Sequence, residues 1–207
     1  DAYLTPGWTS YNKRLQYQVY DVTALIKNGV NAIGATLGSG WYRGTLAWDG
    51  NKNSYGNDIS ILFQINIKYA DGSSDVVYSN ESWKCSTGSI RYSEIYNGEI
   101  IDARDEKKGW LLAGYDDSKW DNVKVENFPL NNLIATYNEP VKKHETFKPV
   151  RIFKTAQGEQ VIDFGQNLVG WVTLKVKGNA GDTITISHAE VLDKQGNFYT
   201  TNLRAAR

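Results

Sequence analysis

Apolar and polar residues alternate with a period of two along most of this chain. Leu15, Tyr17 and Val19 alternate with Gln16 and Gln18. Ile59, Ile61, Phe63, Ile65, Ile67 and Tyr69 line one side of a longer run; Ser60, Gln64, Asn66 and Lys68 lie on the other, with Leu62 the exception. Successive side chains of a strand point to opposite faces, so this pattern predicts strands with one buried and one wet face. Asp71-Gly72 predicts a tight hairpin after the long run, with residues 75–79 returning. Residues 31–37 (NAIGATL), 161–164, 172–176 and 184–186 read as further strands, the last two separated by a turn at 178–182. Residues 21–27, closed by Asn28-Gly29, predict one or two helical turns capped by Asp21 or Thr23. No stretch carries the period of a long amphipathic helix. The expected fold class is all-β: an antiparallel jelly roll or β-sandwich, followed by part of a second β-sandwich domain.

Composition divides this pattern. Residues 127–149 hold Pro129, Pro140 and Pro149, several Asn and little periodicity, which reads as a linker or connecting strand. The expected organisation is a domain over 1–126, a linker over 127–149 and a second, incomplete sandwich over 150–207. With 207 residues the chain is long enough for one large or two small β-domains. Its 23 basic and 23 acidic residues cancel, which removes any electrostatic reason to bind nucleic acid or an anionic membrane. No apolar run approaches the roughly 20 residues of a membrane-spanning helix. The absence of methionine raises the expectation of a piece of a longer protein. Cys85 is the single cysteine, so no internal disulfide can form, and it is expected to be a small buried apolar residue.

Candidate chemistry concentrates in residues 38–58, GSGWYRGTLAWDGNKNSYGND. Trp41, Tyr42, Arg43, Trp48 and Tyr55 share this stretch with Asp49, Asn51, Asn53, Asn57 and Asp58. The C–H face of a pyranose stacks on indole and phenol rings, while its hydroxyls bond to amides, carboxylates and a guanidinium fork. The sugar-binding candidates are therefore Trp41, Tyr42, Arg43, Asp49, Asn51 and Asn57, set against the alternative of a loop that only packs. Asp49, Asn51 and Asn53 also form the oxygen-rich start of a calcium loop. Ser54 and Ser60 stand where an EF-hand needs Gly and Glu, so an ordinary turn is preferred over a looser calcium site, and no cofactor is required. Glu94, Glu99, Asp102, Asp105 and Glu106 cluster around Arg104. Glu99 and Asp102 have the character of a glycosidase carboxylate pair, but an ion pair with Arg104 at a sheet end is the preferred reading. His188 and Glu190 share a strand face, yet His144 is the one other histidine and no zinc set can be built. Trp110, Trp120 and Trp171 are expected to pack in a core or between domains.

Three long stretches carry a resemblance. PGWTSYNKRLQYQVYDVTALIKNGVNAIGATLGSGWYRG (6–44), YADGSSDVVYSNESWKCSTGSIRYSEIYNGEIIDAR (69–104) and VIDFGQNLVGWVTLKVKGNAGDTITISHAEVLDKQGNFYTTNLRAAR (161–207) resemble the accessory β-domains of bacterial α-L-rhamnosidases. GYDDSKW (114–120) is similar to the closing part of sugar-binding jelly rolls in glycosidases. The resemblance implies an N-terminal jelly roll, lacking its first strands here, and the start of a concanavalin-like domain. It implies a downstream α/α toroid, absent from this chain, that hydrolyses terminal α-L-rhamnosides. It also implies a rhamnose-containing glycan as partner, calcium as an occasional bridge to the sugar, and a periplasmic or secreted parent. The chain itself is then expected to bind or to scaffold, with no catalytic residue and no activity alone.

Overall fold

The computed structural model describes residues 2–46, 50–203 and 206. Its secondary structure is almost wholly β, with 22% of residues in strands and 6% helical. The chain divides into two units, Leu4–Asn138 and Asp1–Tyr3 with Glu139–Arg207.

In the unit Leu4–Asn138, eight strands pair two by two. These are β1 (Leu15–Tyr17), β2 (Gln64–Lys68), β3 (Ser74–Tyr78), β4 (Lys84–Cys85), β5 (Ile90–Glu94), β6 (Gly98–Ile101), β7 (Asp121–Asn122) and β8 (Leu133–Ala135). The hairpin β2–β3 pairs Gln64 with Tyr78 through Lys68 with Ser74, around the turn the Asp71-Gly72 signal predicts. Asp71 closes that turn by accepting bonds from the Ser73 amide at 2.9 Å and its hydroxyl at 2.6 Å. β5 and β6 form a second hairpin, and β4 pairs antiparallel with β7. β1 and β8 run parallel, Leu15 beside Leu133. A single 3-10 turn, Thr23–Leu25, occupies the expected helical segment, with Asp21 accepting from the Thr23 amide at 2.9 Å.

The unit containing Glu139–Arg207 has β9 (Arg151–Lys154) antiparallel to β10 (Gln160–Asp163), and β11 (Val191–Leu192) antiparallel to β12 (Phe198–Tyr199). Arg151 crosses the first ladder to Asp163, Nε to Oδ2 at 2.8 Å, and its guanidinium lies 4.5 Å from the Phe153 ring centre.

Several expectations change. Residues 31–37, 172–176 and 184–186 join no ladder and stay exposed, although the turn between the last two closes with the Asn179 amide on Asp182 Oδ2 at 2.6 Å. Alternation specifies two faces, but a strand also needs a neighbour for its N–H and C=O groups, and among the described residues no strand pairs with these segments. The long run over 59–69 forms a ladder only over Gln64–Lys68, because β3 is five residues long. Cys85 is exposed rather than buried: β4 spans only two residues and sets it opposite Asp121 at the end of a two-residue ladder. Among the described residues no apolar side chain is fully buried; the most enclosed groups are Gln16, Thr155 and Asn197. Aromatic contacts take the place of a core. Phe63 meets Trp83 at 5.6 Å, Trp110 meets Trp120 at 6.2 Å and Trp171 meets Tyr3 at 4.7 Å between ring centres.

Candidate functional site

The one α-helical turn among the described residues is α1 (Gly40–Arg43), GWYR, in the middle of the aromatic-rich loop. It is too short to stand by propensity. The loop that follows holds it: the Asn53 amide donates to the Arg43 carbonyl at 2.9 Å, and the Tyr55 amide to the Tyr42 carbonyl at 3.3 Å. Arg43 also ties the loop together through its side chain. Its Nε reaches the Ser39 hydroxyl at 3.2 Å and its Nη1 the Asn57 carbonyl at 3.4 Å.

Around α1 the rings form one cluster. Trp41 lies between Trp8 and Tyr96, with centres 6.0 and 5.9 Å away. Tyr42 stacks on Tyr55 at 6.2 Å and meets Tyr11 at 5.9 Å, while Tyr11 meets Tyr55 edge-on at 4.8 Å. Such tilted and edge contacts suit the ring quadrupoles. The Trp8 indole N–H donates to the Tyr55 hydroxyl at 3.1 Å, and the Tyr11 hydroxyl to the Gly7 carbonyl at 3.0 Å. Burial pushes the Tyr11 phenol above its ordinary range, and Tyr55 adds to the shift. Trp41 and Tyr42 are therefore half-buried, whereas Trp8 keeps 54% of its surface open.

Below the loop sits a carboxylate that the sequence pattern groups with the acids around Arg104. Glu94 turns instead toward the loop. Its Oε2 accepts from the Thr45 hydroxyl at 2.6 Å, the Thr45 amide at 3.3 Å and the Asn97 amide group at 2.9 Å. Lys52 Nζ stands 3.9 Å from its other oxygen, and only 8% of the Glu94 side chain is exposed. Burial by itself would raise the carboxyl; hydrogen bonds from Thr45, Asn97 and Tyr92 outweigh it and hold the group below its ordinary range. The hairpin makes this possible. A three-residue loop joins β5 to β6, and Gly98 takes the left-handed conformation, φ 75°, that such loops need. Asn97 is thereby folded back over Glu94. The Asn97-Gly98 pair is the signal that could have found this arrangement.

Of the predicted sugar contacts, the structure brings Trp41, Tyr42 and Arg43 onto one turn, with Asn57 bonded to Arg43 through its backbone. Asn51 is exposed, and its carbonyl accepts from the Leu46 amide at 2.8 Å. Asp49 and Trp48 lie outside the described residues. Asn53 adopts a left-handed backbone, φ 58°. Calcium takes six to eight oxygens. Within the described part of the loop the Asn51 carbonyl accepts from the Leu46 amide and the Asn53 amide donates to the Arg43 carbonyl. No group of three or more His, Cys, Asp or Glu suited to a metal occurs among the described residues. Asp102 is gripped by Arg104, with Nε at 2.8 Å and Nη2 at 2.5 Å, just beyond the end of β6.

Comparison with known proteins places these features in a family. Residues 1–145 match the α-L-rhamnosidase N-terminal domain, and residues 153–207 the bacterial α-L-rhamnosidase concanavalin-like domain. An α-L-rhamnosidase of Streptomyces avermitilis is 40% identical over 204 residues, which are 98% of this chain and 20% of that protein. One from Alteromonas is 37% identical over 205 residues, 98% of this chain and 22% of its own length. The crystal structure of native α-L-rhamnosidase from Aspergillus terreus superposes with a TM-score of 0.90 at 38% identity, covering 100% of this chain and 24% of that one. The Streptomyces avermitilis enzyme complexed with L-rhamnose gives 0.89 at 36% identity, covering 99% and 20%. The chain thus spans about a fifth of the length of the curated relatives it matches. By these matches over nearly its whole length, the chain belongs to the α-L-rhamnosidase family, as its N-terminal domain joined to residues of the concanavalin-like domain.

Proposed function

We propose that this chain is the non-catalytic, carbohydrate-binding and scaffolding part of an α-L-rhamnosidase whose whole length hydrolyses terminal α-L-rhamnosides. The observation that carries the reading is the turn Gly40–Arg43, which joins a half-open indole cluster to a guanidinium and to the exposed amides of Asn51 and Asn57. Trp8 and Trp41 offer the apolar platform; the rest of the Arg43 fork and the two amides offer bonds to hydroxyls. A glycan held here would gain effective concentration at an active site in a downstream α/α toroid. No cofactor is needed for this contact, and Asp49, Asn51 and Asn53 remain the place where calcium would join it. Calorimetric titration with L-rhamnose and rhamnosyl oligosaccharides, with and without calcium, tests the proposal. Heat of binding at millimolar ligand, abolished by Trp41→Ala, is expected; its absence leaves scaffolding alone.

A second reading has its own support. Val76, Val77, Ile100 and Ile101 in one unit and Ile152 and Val191 in the other are all more than 40% exposed, so strand faces are open in both units. Purely structural β-domains that pack on the catalytic domain and bind no sugar would carry such faces. On that reading, Trp41→Ala destabilises the full-length enzyme and leaves sugar affinity unchanged.

A further inference from the structure

Glu94 is anchored at the end of β5, yet two of its partners, Thr45 and Lys52, lie on the loop after α1. Thr45, at the start of that loop, binds it through both amide and hydroxyl, and Lys52, seven residues on, stands beside its other oxygen. Lys52 also lies 5.9 Å from the Tyr92 ring centre, and Asn97 donates to the Tyr92 hydroxyl at 3.1 Å and the Thr45 hydroxyl at 3.3 Å. A carboxylate this enclosed is costly unless its oxygens are bonded. Both are engaged, and by residues that flank the loop's Leu46–Asn51 bridge on either side. We propose that Glu94 is a positioning residue: a clasp that fastens Thr45 and Lys52 to the β5–β6 hairpin and thereby fixes the register of Arg43 and Asn51 for the ligand. The ligand half of this statement rests on the sugar-contact reading; the clasp does not.

Hydrogen exchange by mass spectrometry on the whole chain separates the two. In Glu94→Ala, peptides covering 44–56 should exchange about tenfold faster while the β2–β3 hairpin keeps its wild-type protection, because local opening and global stability are distinct. Glu94→Gln retains an acceptor for Thr45 and Asn97 but no charge for Lys52, so it should restore much of the protection. Thr45→Val removes one side of the clasp without touching β5 and should loosen the same peptides. Unchanged exchange at 44–56 in Glu94→Ala and Thr45→Val overturns the clasp. So does equal acceleration of the β2–β3 peptides, which would make Glu94 a general structural residue. L-rhamnose affinity, read on the same variants, should fall at least about fivefold in Glu94→Ala and recover in Glu94→Gln. Faster exchange with unchanged affinity keeps the clasp and refutes its role in positioning for sugar. A wild-type chain that binds no L-rhamnose fails the sugar reading, while exchange still decides the clasp.

Discussion

Two carboxylates show how hydrogen-bond donors set acidity at single residues. Asp102 is bound by the Arg104 fork and also accepts from the Arg104 backbone amide at 3.1 Å. The side-chain bond and then the backbone bond lower its carboxyl to about 2. A depressed acid adds stability that is complete above its ordinary range and is lost as pH falls through the folded value. For Asp102 that loss begins as pH drops below the ordinary aspartate range and is complete below about 2, and it is small because the pair is open to solvent. Carboxyl-detected NMR should give a midpoint near 2 for Asp102. Arg104→Gln removes the guanidinium but keeps the backbone bond, so it should raise the midpoint only part of the way toward the ordinary aspartate range; an unmoved midpoint would show that the guanidinium is not the cause. Glu94 follows the same sign from a different setting, since its donors must first overcome burial. Its loop should therefore stay fastened at neutral pH and loosen once acid protonates it.

At the level of elements, what was legible depended on how local the determinants are. The hairpin β2–β3 was readable because the alternation over 64–68 and the Asp71-Gly72 turn lie side by side in sequence. Gly72 sits at φ 87°, which a side chain disfavours, so Gly72→Ala should cost the hairpin about 1 kcal/mol. The same amount should speed amide exchange in Gln64–Tyr78 roughly fivefold; no change would mean the turn does not govern the hairpin. The parallel pair β1–β8 was not readable. Thr136 donates to the Tyr17 carbonyl, 119 positions earlier, and nothing in either segment names the other. Unpaired segments such as 31–37 mark the same limit from the opposite side, because their pattern announces a strand whatever neighbours exist. The candidate site divides likewise. Trp41, Tyr42 and Arg43 were found from one stretch, whereas Tyr11 and Tyr96 reach their rings, and Glu94 and Asn97 reach the adjoining Thr45, only through the fold. Proximity in sequence to Arg104 misassigned Glu94, since a strand end can send its side chain to a loop 49 residues away.

Over the whole molecule the decisive quantity is uncovered apolar surface. Each ladder is two-stranded, and a two-stranded hairpin is marginal in water unless a further layer covers its face. Here the described strand faces remain open, from Val76 at 53% and Ile101 at 61% to Ile152 at 58%. Burial of apolar surface supplies most of the driving force for folding, so such ladders are held mainly by local turns, ion pairs and ring contacts. The curated relatives are about five times as long. This has a direct readout. The dye 8-anilinonaphthalene-1-sulfonate, which brightens on exposed apolar surface, should fluoresce strongly with the 207-residue chain at neutral pH. The full-length Streptomyces avermitilis α-L-rhamnosidase, at equal mass, should brighten it far less. Equal signals from the two proteins would mean that the open faces are not what distinguishes the chain. A dark dye would go further: the faces would then be covered in solution by the chain itself, and sedimentation would reveal whether a second copy supplies the cover.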